Sequence, residues 1–420
     1  MKICIVGGGT AGWWCAGYME KFLPDAEITL IESGEIPTSG VGESTLPQIG
    51  AFFEDLGIPE EEWMNGCNAT KKYGNMKYGW NGVDKDPFFM TFWWNEPKTR
   101  FSDWYKEYKA GRKDKHSHVA MYDKDDWRST AYHLDANLAN EVVRKHCKRV
   151  NHIIDTLTEL PEGYDLYVDA TGFRRQFTID KTEVIWDHHL VDRAWVRPLE
   201  RFDESDTLEL DLFKSNVPLW KANIKKLSYT KTIAKPEGWQ FMVDLQNRTG
   251  TGYVYSSQHV SDEKALEQFK SWTSHRKPYN NIEPRLIKWK PNVLKNPWKD
   301  NVVTIGLGQG FVDPLEANGL YLVVYSITLL VKCILRNSKP EAYNRSIMKV
   351  QKNNSDYILH HYMLSDRDDT EFWKYYSKFD VEETLWKLFK NNSNAQANLY
   401  SDAIWAQLGI YFEKFKHYTP

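Results

Sequence analysis

Runs of apolar residues mark the first elements of this chain. Lys2-Ile3-Cys4-Ile5-Val6 is short and almost wholly apolar, as a strand buried on both faces must be. From Ala11 to about Phe22 the spacing becomes helical, and Leu23-Pro24-Asp25 ends it. Glu27 to Glu32 reads as a second strand, and Tyr164 to Ala170 as a later one running into Thr171-Gly172. Between 185 and 260 the residues alternate as antiparallel strands do, with turns expected at Lys235-Pro236-Glu237-Gly238 and Asn247-Arg248-Thr249-Gly250. Residues 320–336 and 340–362 look helical, and further helices are expected over Val381 to Asn391 and Ala395 to Leu408. Residues 85–130, rich in Trp, Lys and Asp, read as an insertion. No internal repeat or low-complexity linker interrupts the chain.

The first two strands and the helix between them enclose Gly7-Gly8-Gly9-Thr10-Ala11-Gly12, a G-x-G-x-x-G motif. Each position has a physical task. Gly7 permits a tight turn, Gly9 lets backbone approach a pyrophosphate, and Gly12 lets helix and strand pack closely. Thr10 and Ala11 open the helix, whose first N–H groups and dipole favour phosphate. Glu32 ends the second strand about 20 residues past the glycines, where an acid accepts hydrogen bonds from ribose hydroxyls. A glycine turn alone is a weak signal; strand, turn, helix, strand and acid in register are a strong one. The fingerprint serves FAD and NAD alike.

Two observations favour FAD. The Asp165 to Gly172 segment, with Thr171 before its glycine, resembles the D-x-x-x-x-A-T-G stretch of FAD-dependent oxidoreductases of the hydroxylase type. No second G-x-G-x-x-G follows a strand, so a dedicated NAD(P)H domain is not expected. The fold expected is α/β with α+β inserts. A Rossmann-like, FAD-binding module of the hydroxylase type would span 1–340, with substrate-facing insertions near 85–130 and 185–260, the latter an antiparallel sheet. A helical C-terminal region, 341–420, would cover the substrate site.

Composition narrows the rest. The chain has 420 residues, 41% hydrophobic and 26% charged, with a formal net charge of −3, so no basic surface points to nucleic acid or acidic lipid. Eighteen Trp, 23 Tyr and 19 Phe supply rings for a large core or for binding a planar substrate. Five scattered cysteines have neither CxxC spacing nor clustered histidines, which argues against a disulfide framework or a metal site. The strand begins at once, leaving no room for a signal peptide, and Leu320 to Leu335 is too short and too interrupted to span a membrane. A cytoplasmic protein is expected.

Several further segments, in order along nearly the whole chain, resemble the flavin-dependent tryptophan halogenase family. Gly40-Val41-Gly42-Glu43-Ser44-Thr45-Leu46-Pro47 is similar to its V-G-E-[AS]-T-x-P stretch beside the flavin. Cys67-Asn68-Ala69-Thr70-Lys71-Lys72 through Trp80 is similar to its lysine segment, and counting back from Trp80 places the family lysine on Lys72. Ala131-Tyr132-His133-Leu134-Asp135-Ala136 resembles a flavin-side Y-x-x-D-A stretch. Phe311-Val312-Asp313-Pro314-Leu315-Glu316-Ala317-Asn318-Gly319 resembles F-x-[DE]-P-L-E-[ST]-x-G, and Ser365 to Trp373 matches a further stretch. Departures fall on the substrate side and, at Ala317 and Asn318, beside the halide. The family's W-x-W-x-I-P appears as Trp239-Gln240-Phe241-Met242-Val243-Asp244, its His-Pro-Phe as Asp86-Pro87-Phe88, and Asn318 replaces the usual Thr. They suggest a marine phage-type member and leave free tryptophan open as a substrate.

The resemblance implies that reduced FAD, supplied by a separate flavin reductase, and oxygen oxidise a halide (chloride, bromide or iodide). The resulting hypohalous species would halogenate an electron-rich, indole- or phenol-like ring. It assigns catalysis to Lys72 and Glu316. FAD contacts would come from Gly7, Gly9, Thr10, Ala11, Gly12, Glu32, Gly42, Glu43, Ser44, Thr171, Asp313 and Leu320. Backbone N–H groups of Asn318 and Gly319 would hold halide, and Asp86 and Phe88 would contact substrate. The family also implies a homo-oligomer, with no nucleic acid or membrane partner. Taken singly, these residues have plainer readings: a lysine among aromatics usually snorkels, and an acid after Pro-Leu often just opens a helix. Two other functions remain open here, an aromatic hydroxylase on the same scaffold and a flavin-binding relative without turnover.

Overall fold

In a computed structural model of the chain, residues 1–35, 40, 42–72, 74–83, 85, 87–91, 130–201 and 229–379 are described. The expected helices beyond 380, Asp86 and most of the 85–130 insertion lie outside the described residues.

Lys2–Val6 is the centre of a six-stranded sheet. It pairs in parallel with Glu27–Glu32 on one side and Leu166–Asp169 on the other. Asn151–Ile154 extends one edge in parallel, and Val302–Thr304 with the antiparallel Trp298–Lys299 completes the other. The helix Thr10–Phe22 and the helix Gly319–Leu335 pack together over this sheet. Between them lies an aromatic-rich core, with Trp13, Trp14, Phe52, Phe53, Trp63 and Tyr132 all buried. Many of the chain's rings therefore serve packing.

A second, seven-stranded sheet runs Arg285–Lys288, Arg193–Glu200, Arg248–Tyr255, Gly238–Asp244, Thr230–Lys235, Gly74–Tyr78 and Phe88–Thr91. It is antiparallel except where Thr230–Lys235 lies parallel to Gly74–Tyr78. The expected turn at Pro236-Glu237 is present between paired strands. The second turn sits earlier than expected. Leu245 donates to the Arg248 carbonyl, and Arg248, Thr249 and Gly250 already belong to the next strand, because all three pair with their neighbours. One face of this sheet packs Tyr253 and Tyr255 with Phe269 of the helix Asp262–Trp272. The other face, with Val196, Ala234, Trp239 and Val254, meets the long helix Pro340–Met363 and Trp373. The expected helices at 320–336 and 340–362 are observed as Gly319–Leu335 and Pro340–Met363.

A small sheet joins the two halves. Glu43–Ser44, Ala131–Leu134 and Thr70–Lys72 pair antiparallel in that spatial order. Three segments far apart in sequence are thus held edge to edge.

Candidate active site

The glycine turn is built as its spacing demands. Gly7 sits at φ +117°, a left-handed conformation that penalises any side chain. A Cβ on Gly12 would lie 1.8 Å from the Gly7 carbonyl oxygen, so helix and turn meet there at backbone distance. A Cβ on Gly9 meets nothing within 4 Å, so the space in front of the helix start is open. Thr10 and Ala11 form the first turn of that helix, with no side-chain cap on its N–H groups. These features, an uncapped helix N-terminus behind an open glycine shelf, fit the pyrophosphate of a dinucleotide. Glu32 stands at the strand end as expected, and its Oε1 lies 2.7 Å from His152 Nε2. Thr171 donates from its hydroxyl to Asp169 Oδ1 at 2.6 Å, closing the glycine turn on the neighbouring strand.

The small sheet carries Glu43 and Ser44, two further residues expected beside the flavin. Gly42, at φ +107°, leads into Glu43–Ser44. Glu43 Oε2 accepts from the Ala136 N–H at 3.0 Å, at the start of the helix Ala136–His146. Asp135 caps that same helix and bonds Arg248 at 2.8 Å. Ser44 Oγ lies 2.7 Å from Thr230 Oγ1, which lies 2.8 Å from His133 Nε2.

Lys72 ends the third strand of this sheet, paired with Ala131. Its side chain is fully buried, and its Nζ donates to the Thr45 carbonyl at 3.1 Å. Burial pushes its pKa down to about 7; Glu316 opposes that and Lys77 adds to it. The same burial, with the nearby Lys72 charge, takes His133 down to about 3, so its ring is neutral.

Glu316 lies in the loop before the Gly319–Leu335 helix and is nearly sealed from solvent. Lys72 and Glu316 are close enough to shift each other's charge, yet the carboxylate's direct ionic partner is Lys77. Lys77 Nζ donates to Oε1 at 2.5 Å, His361 Nε2 lies 3.1 Å from the same oxygen, and Asn75 donates to Oε2 at 3.3 Å. Burial works against the charged carboxylate, but Lys77 and His361 outweigh it and hold Glu316 well below the ordinary carboxylate range. Sequence reasoning missed Lys77, Asn75 and His361. Asn75 and Lys77 alternate on a strand that is otherwise buried, so their polarity on one inward face was the available signal.

Asp313 is buried two residues before Leu315, whose N–H it accepts at 2.9 Å, and Tyr362 donates to its other oxygen. Burial pushes Asp313 up to about 7, with Tyr362 and Leu315 restraining the rise. Ala317 takes a left-handed φ of +57° and turns the chain into the helix. Asn318 occupies the N-cap without a side-chain cap bond; its Nδ2 donates instead to Asn354. The first-turn N–H groups at Gly319 and Leu320 thus have no side-chain cap, and a Cβ on Gly319 would meet only open space. That geometry suits a small anion. Phe88 is the register partner of Lys77 across the strand pair, and Asp86 lies outside the described residues. Among the described residues no group of His, Cys, Asp or Glu is arranged to hold a metal, and all five cysteines are free of disulfides.

A parallel sheet with a glycine turn that fits a dinucleotide, together with a buried amine and carboxylate, is the arrangement expected of a dinucleotide-dependent oxidoreductase. Comparisons with known proteins make the class specific. Residues 2–411 match the tryptophan halogenase family. Tryptophan 6-halogenase of Streptomyces toxytricini is 31% identical, covering 89% of this chain and 80% of that protein. Tryptophan 7-halogenase of Lentzea aerocolonigenes is 30% identical, covering 89% and 78%. A flavin-dependent halogenase from Xanthomonas campestris has a similar structure, with a TM-score of 0.82 at 25% identity over all of this chain and 90% of that one. The chain belongs to the tryptophan halogenase family and is a flavin-dependent halogenase, an enzyme that uses FAD and halide. Membership favours that reading over an aromatic hydroxylase. Among the described residues no helix is long and apolar enough to cross a membrane.

Proposed function

We propose that this enzyme halogenates an electron-rich indole- or phenol-like ring, with Lys72 delivering the halogen and Glu316 answering the charge that develops on the ring. Gly7, Gly9, Thr10, Ala11, Gly12, Glu32 and the Gly42–Ser44 stretch would hold FAD; once reduced by a separate flavin reductase, it would pass its electrons to oxygen, and the activated oxygen would oxidise the halide. Thr171, Asp313 and Leu320 complete that surface. The uncapped helix start at Asn318-Gly319 holds the halide without adding a titratable proton.

The observation that carries this reading is the buried Lys72, on the small sheet and within electrostatic reach of the buried Glu316. At a pKa of about 7, a substantial share of Lys72 is free amine at neutral pH. The amine takes halogen from hypohalous acid with loss of water. It passes the halogen to a ring carbon, and the amine returns as the ring proton leaves. A carboxylate kept ionised in a dry site stabilises the cationic ring and relays that proton to the amine nitrogen. In this proposal Asp86 and Phe88 are assigned to substrate contact and the region after 340 to covering the substrate. Free cysteines agree with a reducing cytoplasm, and a homo-oligomer, which light scattering would test, completes the proposal.

The test is a mass-spectrometric screen with purified protein, FAD, a flavin reductase, NADH, each halide in turn and a panel of indoles and phenols. A halide-dependent mass increase supports the proposal. An oxygenated product without halide returns the aromatic hydroxylase. Flavin binding with no product from any ring marks a relative without turnover.

A further inference from the structure

Two lysines, not one, are buried at this carboxylate. Lys72 and Lys77 both have fully buried side chains, yet they are bonded differently. Both oxygens of Glu316 are engaged by Lys77, His361 and Asn75, while Lys72 donates to the neutral Thr45 carbonyl. The Trp80 ring lies 5.2 Å from Lys77 Nζ and walls that ammonium in. Asn75 and Lys77 share a strand face, so one strand contributes both the charge and a neutral hydrogen bond to one carboxylate.

We propose that Lys77 is a positioning residue: paired with Glu316 in a cluster with Asn75 and His361, it holds the carboxylate in place and keeps it from capturing the Lys72 amine. This rests on the reading of Lys72 as the halogen carrier. The two lysines then divide the work, Lys77 as the partner bonded to Glu316 and Lys72 as the amine that reacts.

The electrostatics of the surroundings agree. Lys77 faces Glu316 and Asp313 from the loop before the Gly319 helix, His361 from the long helix, and Lys72 from the neighbouring strand. Lys72 faces Glu316, Lys77 and His133, and behind His133 stands Asp244. Burial lowers Lys77, but a direct bond to Glu316 and the charge of Asp313 pull it back. Lys72 donates to the Thr45 carbonyl, while both oxygens of Glu316 are taken by other partners, and the Lys77 charge lowers Lys72 further. Without Lys77 the buried carboxylate would have to take up a proton or draw the Lys72 amine into an ion pair, since an uncompensated buried charge is costly.

Nitrogen-15 lysine labelling of the full chain reads this without any turnover. Side-chain ammonium signals would be followed by NMR from about pH 5 to about pH 9, with Lys72→Met and Lys77→Met assigning them. In the unsubstituted protein the Lys77 ammonium, bonded to Glu316, should outlast the Lys72 signal, which should fade near a pH of about 7. In Lys77→Met the Lys72 signal should persist at least about one pH unit higher. Halogenation in that variant should fall about 10- to 100-fold in kcat with little change in KM, its acid limb moving up by a similar step. Lys77→Arg should restore most of the rate and the original limb.

A Lys72 titration and pH profile unmoved by Lys77→Met would reduce Lys77 to a packing role and overturn the proposal. So would a Lys77 signal that fades near neutrality while Lys72 persists, which would exchange the two roles. Should Lys77→Met not fold, the spectrum of the unsubstituted protein and Lys77→Arg still decide. If no ring is halogenated by the unsubstituted protein, the halogenation reading fails while the two NMR titrations still test the pairing.

Discussion

The nucleotide end and the polar cluster around Glu316 were assembled in opposite ways. The first comes from one stretch of chain, residues 2–32, in which strand, glycine turn, helix and acid follow one another. The second draws Lys72, Asn75 and Lys77 from two short strands, Glu316 and Asn318 from a loop, and His361 from the long helix. In the first, a residue's task is set by neighbours a few positions away. In the second, it is set by strand register and by which helix face meets which sheet. A local motif tolerates little change at its tightest point. A distributed cluster is sensitive wherever charges must balance.

The sharpest way to break this comparison is at Lys72. Lys72→Ala should lower halogenation by at least ~10³-fold while peroxide still forms from reduced flavin, measured by product mass and a peroxide assay on the same sample. Retained halogenation would dissolve the cluster as a functional unit. Glu316→Gln should cost about 10²-fold in kcat, since it removes the ionised carboxylate and leaves Lys77 without its partner. An equally large effect on flavin binding would mean the cluster supports the nucleotide end instead.

Acidity should act on the cluster in a stated direction. The proposal has Lys72 react as the amine, and burial lowers its pKa to about 7. Below that pH the lone pair is protonated and the rate should fall as pH falls; above it the rate should level off. A profile of kcat against pH that declines on going from acid to neutral would show that the ammonium is the working form.

The nucleotide end divides into two glycines with different reasons. Gly12→Ala places a methyl 1.8 Å from the Gly7 carbonyl, so the turn must move, at a cost of about 3 kcal/mol, read by thermal unfolding. Gly9→Ala should change the unfolding midpoint of the flavin-free protein least, within about 0.5 kcal/mol, because its Cβ meets nothing. It should still weaken flavin binding about tenfold, by fluorescence titration, if that open shelf is where pyrophosphate lies. Similar unfolding effects from both substitutions would erase the distinction between a packing glycine and a ligand glycine.

Much of the fold was legible because its signals are periodic and local. The Lys2–Val6 and Glu27–Glu32 strands, the intervening helix and the two long helices after Asn318 fall within a residue or two of where the pattern put them. The turn after Asp244 was read late, because Arg248, Thr249 and Gly250 look like turn residues but pair across a ladder that overrides their preferences. The site was legible as separate segments. That Glu43–Ser44, Ala131–Leu134 and Thr70–Lys72 share one sheet was not, since strand pairing between distant segments leaves no spacing to count.

By itself the amino-acid order determined the dinucleotide turn, since the Cβ-free contact of Gly12 with Gly7 follows from their spacing on one strand–turn–helix unit. It also supplied every ionisable group of the cluster. Only tertiary structure decided which lysine pairs with Glu316, because Lys72 and Lys77 are chemically identical and differ in what surrounds them. Short-range forces act between residues that the fold brings near, and nothing in a one-dimensional order says which amine will lie 2.5 Å from a given carboxylate.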